Sequence, residues 1–82
     1  MEAMLGQVVL FPYPFTPRGW VPCDGQLLPI RENAALFSLL GTQYGGDGTT
    51  SFALPKLASI QAQDGSEVRY FIALMGIYPE RS

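Results

Sequence analysis

The sequence predicts a small α+β fold: a mostly antiparallel sheet, one short helix at about residues 31–40 packed on it, and glycine-rich turns between the elements. Three observations predict it. Short runs of β-branched and aromatic residues recur between Gly and Pro punctuation, as strands do. One stretch alone carries an apolar period of about 100° per residue, the signature of an amphipathic helix. The longest apolar run, Val68 to Ile77, closes the chain with a β-enriched composition.

Taken in order, Gln7 to Phe11 reads as the first strand. The Pro12-Tyr13-Pro14-Phe15-Thr16-Pro17 stretch cannot sustain a ladder, because proline has no backbone donor, so it is expected to be a loop anchored by Tyr13 and Phe15. Gly19 to Cys23 and Gln26 to Leu28 flank Asp24-Gly25, a pair that suits the positive φ angles of a type I′ turn and predicts a hairpin. Pro22 confines its strand to an edge or a short pairing.

Arg31 to Leu40 is the predicted helix, with Leu36, Leu39 and Leu40 on one face, Phe37 beside them, and Arg31, Ala34 and Ser38 opposite. Glu32 or Asn33 is placed to serve the free amides at its start, and Gly41 to take a left-handed conformation after its end. Tyr44 to Thr50 is a glycine-rich turn, Ser51 to Leu54 a short strand stopped by Pro55, and Ile60 to Ser66 a polar loop. Val68 to Ile77 is then a buried central strand, its natural partner is Gln7 to Phe11, and Gly76 marks a bulge or close contact.

At 82 residues the chain makes one domain, residues 1–82. It is near the lower limit of unaided folding, since a chain of ~60 residues buries only about 60% of its unfolded surface. Yet 48% of the residues are hydrophobic and 15% charged, so part of the apolar surface is expected to face another chain. The net charge of −2 comes with five singly scattered Lys and Arg, which argues against nucleic acid and against anionic membrane surfaces. Cys23 is the single cysteine, so no intrachain disulfide is possible. No apolar stretch is long enough to insert in a membrane and no secretory signal is visible, so synthesis in the cytoplasm is expected.

The catalytic inventory is thin. There is no histidine, which removes the commonest general base and metal ligand, and one cysteine cannot build a zinc site. Cys23 has no base or cation near it in sequence to activate it, and packing beside the turn accounts for it. Asp24, Asp47 and Asp64 each precede Gly and are explained as turn residues. Gly45-Gly46-Asp47-Gly48 lacks the Lys-Ser/Thr and the following helix of a phosphate loop, and the alternating acids of a calcium loop. No catalytic residue, cofactor or metal is therefore assigned. Trp20 reads as a core anchor or as a sugar-stacking platform.

Five stretches occur in a fixed order: Pro17-Arg18-Gly19-Trp20, Cys23-Asp24-Gly25-Gln26-Leu27-Leu28-Pro29-Ile30, Ala35-Leu36-Phe37-Ser38-Leu39-Leu40-Gly41, Tyr44-Gly45-Gly46-Asp47-Gly48 and Phe52-Ala53-Leu54-Pro55. The string resembles the phage tail-collar domain, a small module of tail fibres also found in microcystin-dependent proteins. The likeness resumes at Tyr70 to Pro79. It departs at Leu54-Pro55-Lys56-Leu57-Ala58-Ser59-Ile60, where family members usually continue Leu-Pro-Asp-Leu-Arg-Gly-Arg, and the large variable segment that normally follows is replaced by a short loop. That segment's receptor contacts and metal-binding histidines are therefore not carried over.

The resemblance implies a non-enzymatic structural or adhesion module that acts by self-association and by partner or glycan contact, in a virion or phage-tail-like particle. It implies a homo-oligomer, with a trimer expected, and a tail or surface-protein partner. The alternative is a free-standing small-ligand-binding or protein-binding module of inhibitor type. Tyr13, Phe15, Tyr44, Asp47 and Tyr78 are the candidate contact residues.

Overall fold

A computed structural model describes residues 3–12 and 16–79. The elements are β1 (Val8–Pro12), β2 (Trp20–Pro22), β3 (Leu27–Pro29), a 3₁₀ turn (Ile30–Glu32), α1 (Ala34–Leu40), β4 (Ser51–Ala53), β5 (Ile60–Gln61) and β6 (Glu67–Ala73). This is the α+β class expected.

β6 is the centre of the larger sheet. β1 lies antiparallel along one side of it, Val8 opposite Ile72 and Leu10 opposite Tyr70. β2 and β5 lie in succession along the other, Val21 opposite Ile72 and Ile60 opposite Val68. The predicted pairing of the two ends of the chain is therefore present, although the final strand stops at Ala73 rather than Ile77. Pro12 closes β1 opposite Val68. β3 and β4 form a separate two-stranded sheet.

Because antiparallel partners share a face, the pairings sort the large sheet into two sides. Ile72, with Val21 and Tyr70 beside it, packs against Leu5, Cys23, Leu28, Leu36, Phe52 and Leu54, so the principal core lies between this sheet, the small sheet and the helix. The opposite side carries Trp20, Phe71 and Ala73, with Val9 and Phe11 against them. Phe11 meets Trp20 edge-on at 5.6 Å and Phe71 at 5.7 Å, the geometry that aromatic quadrupoles favour. Phe52, Phe71, Leu36, Leu54 and Ile72 are fully buried, each worth about 1.5–3 kcal/mol.

The expected hairpin at Asp24-Gly25 does not form: β2 pairs with β6 and β3 with β4. A type I′ turn needs positive φ at both central residues, and among the described residues only glycines take it. Asp24 instead accepts the Gln26 N–H on its own carboxylate at 3.2 Å, and its backbone forms an isolated antiparallel β-bridge with Lys56. The Asp-Gly pair thus steers the chain from one sheet to the other.

The helix is shorter than expected. Residues 30–32 form a 3₁₀ turn, and Asn33, at φ −136° and ψ 38°, breaks the register before α1 begins. Neither polar residue caps the start with its side chain; the Asn33 amide donates back to the Pro29 carbonyl at 3.1 Å. The apolar face is as expected, Leu36 buried and Phe37, Leu39 and Leu40 against the core. Gly41 ends the helix at φ 61° and ψ −149°, outside the left-handed helical region expected of it, and donates to the Phe37 carbonyl at 2.7 Å. Residues 60–66 are not simply a loop, since Ile60–Gln61 pairs with β6 and Asp64-Gly65 turns the chain between them. The loop after β1, with its expected anchors Tyr13 and Phe15, falls outside the described residues.

Gly76 is the close contact that its position suggested. A Cβ there would lie 2.2 Å from the Ala3 carbonyl oxygen. The approach lets Leu5 donate to Ile77 at 2.9 Å and Ile77 to Ala3 at 3.0 Å, joining residues 3–5 to 77 as a parallel bridge.

Candidate functional site

The glycine-rich loop is built around one carboxylate. Asp47 Oδ1 accepts the backbone N–H groups of Thr49, Thr50 and Ser51 at 2.8–2.9 Å, and its Oδ2 accepts the Thr50 hydroxyl at 2.7 Å. These bonds, led by the Thr50 hydroxyl, favour the charged form and hold the carboxyl well below the usual carboxylate range. The loop is pressed onto β4: Ala53 donates to the Gly45 carbonyl at 3.0 Å, and a Cβ on Gly46 would sit 2.4 Å from the Phe52 Cα. Asp47 therefore shapes the loop, and Tyr44, in the same loop, stands exposed. Tyr78 lies elsewhere in the fold, its hydroxyl sharing a 2.6 Å hydrogen bond with Ser38 on α1. Tyr13 and Phe15, the other two candidate contact residues, lie outside the described residues.

A second feature is an open groove of about 330 Å³ lined by Arg18, Gly19, Trp20, Met75, Gly76 and Ile77, with Ala3 at one end. Trp20 is 8% exposed, so it is a core residue whose edge reaches the groove rather than a free stacking platform. Met75 and Ile77 are largely exposed on the groove wall.

A smaller cleft of about 160 Å³ opens where β2 ends and β5 has not begun, lined by Cys23, Asp24, Leu57, Ser59, Arg69 and Tyr70. Burial, and then the Asp24 charge, push the Cys23 thiol up to about 11, so it is protonated at neutral pH. Arg69 is held on the sheet by Glu67, two residues away on the same face, at 3.5 Å. Among the described residues no group of three or more His, Cys, Asp or Glu could hold a metal ion, and no helix is long and apolar enough to cross a membrane.

The third feature is apolar surface without a cover. Val8 and Leu10 on β1, Leu27 on β3, and Met75 and Ile77 by the groove are all exposed large hydrophobics. Residue-by-residue reading of the sequence did not single out the outer edge of β1. A signal for it existed: no charged residue stands between Glu2 and Arg18.

A family model described as Phage Tail Collar Domain matches residues 6–60. No curated protein and no solved structure matches the chain.

Proposed function

The chain belongs to the phage tail collar domain family, a structural family of phage tails, and on that premise we propose that it is a non-enzymatic module acting by self-association and by contact with a protein or glycan partner. The observation that carries this reading is the uncovered apolar surface. Leu27 is 60% exposed and Met75 64% exposed, in a chain of which only 15% is charged. A small monomer has little reason to leave such side chains in water, whereas subunit contacts bury them. The Asp47-braced loop that displays Tyr44, and the Tyr78 ring on the far segment, are the polar-aromatic surfaces offered to a partner; Tyr13 and Phe15 belong to the same proposal by sequence.

Molar mass measured by light scattering across a concentration series tests the reading. The expected result is a homo-oligomer. A 9.0 kDa species persisting at ~100 µM would overturn it, because association that weak is worth less than roughly 5–6 kcal/mol.

A further inference from the structure

We propose that the cleft between the end of β2 and the start of β5 binds one neutral sugar residue through its hydroxyl groups. The inference rests on the partner-contact reading above and narrows it to a glycan held at a named place.

The cleft exists because two strands lie along the same edge of β6 in registers that do not meet. In the β2 register Leu74 donates to the Gly19 carbonyl at 2.8 Å, Val21 faces Ile72, and Cys23 faces Tyr70. In the β5 register Ala62 donates to the Ser66 carbonyl at 2.8 Å, Ile60 faces Val68, and Ala58 would face Tyr70 as well. Tyr70 is the seam. Its carbonyl accepts the Cys23 N–H at 2.9 Å, but the return bond is missing, because the Cys23 carbonyl takes the Leu57 N–H at 2.8 Å instead. By the antiparallel alternation the Tyr70 N–H points to this side of β6, away from β1. Among the described residues no backbone or side-chain group accepts it. A donor in the middle of the central strand is therefore left unsatisfied where Tyr70 lines the cleft, and such groups normally find a partner.

The neighbouring side chains set what that partner is. The Ser59 hydroxyl, exposed and bonded to no described residue, can give or take a hydrogen bond. Asp24 holds the Gln26 N–H on Oδ1 and keeps Oδ2 as an acceptor. Arg69, anchored to Glu67 at 3.5 Å, lines the same cleft with a cation. An anion would meet the Asp24 charge, which already adds to burial in pushing the adjacent Cys23 thiol up. A cation would meet Arg69, and an apolar group would leave the Tyr70 donor unpaired. A neutral ligand that both donates and accepts fits all of them. Adjacent sugar hydroxyls do so, one giving its proton to Asp24 while the oxygen of the next takes the Tyr70 N–H. Leu57, 40% exposed, supplies an apolar wall for the C–H face of the ring. The cleft, about 160 Å³, matches roughly five waters at ~30 Å³ each, room for one pyranose ring and more than a single amide side chain fills.

The test follows the backbone amide resonances of the isotope-labelled full chain during separate titrations with D-galactose, D-mannose, L-rhamnose and N-acetyl-D-glucosamine. Acetate and acetamide serve as the charged and amide comparisons. We expect at least one sugar to move the Tyr70 amide downfield and to saturate with a Kd of ~1–10 mM, the Asp24 and Ser59 amides moving with it and the Asp47 loop staying still. Ser59→Ala, and Asp24→Asn, which keeps an oxygen for the Gln26 N–H, should each weaken binding about 3–10-fold with the rest of the spectrum unchanged. If Asp24→Asn fails to fold, Ser59→Ala at its exposed position decides. A Tyr70 amide that no sugar moves at ~100 mM, some tenfold above the expected Kd, overturns the proposal, and so does a shift that the variants leave unaltered. A shift caused by acetate in place of the sugars overturns the exclusion of anions, and one caused by acetamide alone overturns the glycan in favour of an Asn or Gln side chain of a protein partner. Molar mass separates this site from self-association. An oligomer whose Tyr70 amide no sugar moves removes the cleft and leaves self-association standing, and sugar binding by a monomer does the reverse.

Discussion

Replacing Gly46 with alanine should destabilise the fold far more than the same change at Gly41, and the difference isolates one contact. Both glycines have positive φ, 94° at Gly46 and 61° at Gly41. Each substitution therefore carries a backbone cost of about 1–3 kcal/mol. At Gly41 the new methyl would meet nothing within 4 Å. At Gly46 it would lie 2.4 Å from the Phe52 Cα, 2.7 Å from the Ser51 carbonyl oxygen and 2.9 Å from the Phe52 amide nitrogen. Those atoms are strand backbone, so the loop or β4 must move, and Phe52 is a fully buried core residue. Overpacking of this kind adds about 1–3 kcal/mol. Against a total stability of roughly 5–10 kcal/mol for so small a domain, Gly41→Ala should remain folded and Gly46→Ala should approach the limit. Urea titration followed by the fluorescence of the buried Trp20 reads both. With a slope near ~1 kcal/mol per molar urea, the two midpoints should differ by about 1–3 M. Coincident midpoints would show that the loop does not rest on β4 as described.

Three further outcomes follow from the packing. Trp20→Ala removes the ring that Phe11 and Phe71 pack around and should cost about 3–5 kcal/mol; a variant with native circular dichroism and an unshifted urea midpoint would place Trp20 outside the core. A chain ending at Gln63 loses all of β6, including fully buried Phe71 and Ile72. It should be insoluble or lack a cooperative thermal transition, and a soluble fragment with a sharp transition would contradict that. The Cys23 thiol, raised to about 11 by burial and the Asp24 charge, should react with a thiolate-specific reagent at pH 8 at least ~100-fold more slowly in the native state than in urea. Its native state holds the proton more tightly than the unfolded one. The linked stability is therefore complete below roughly pH 8.5 and falls as the pH rises towards 11. Equal labelling rates would refute the burial.

Elements whose partners are announced by composition were legible in the sequence. The two apolar runs at opposite ends of the chain read as natural partners, and β1 pairs with β6. The Leu36–Leu40 face was equally plain from its period. The Asp24-Gly25 hairpin failed because its signal is local: the same two residues serve a tight hairpin or a turn stapled by the Asp side chain. What separates them is the competition from β6 and β4, both distant in sequence. The helix start was obscured for a related reason, since Asn33 suits a cap but spends its amide on Pro29. At the candidate site, Asp47 was visible as a polar group in a glycine-rich turn, but not that four donors from Thr49, Thr50 and Ser51 occupy it. The edge of β1 was hidden because edges are a property of strand order, which no single segment encodes.

The parallel bridge between residues 3–5 and Ile77 has a mechanical meaning. Where two segments run side by side in the same direction, the chain leaves one of them backwards and the other forwards. A pull applied to the flanks of the domain therefore drags Ala3–Leu5 and Ile77 past each other along their length. The Leu5–Ile77 and Ile77–Ala3 hydrogen bonds take the load together, rather than opening one after the other as in a hairpin peeled from its end. Gly76, by letting the Ala3 carbonyl come so near, sets the clamp at the point where tension would enter. Tension on the flanks thus reaches this clamp before it reaches β1 and β6, which would peel apart far more easily.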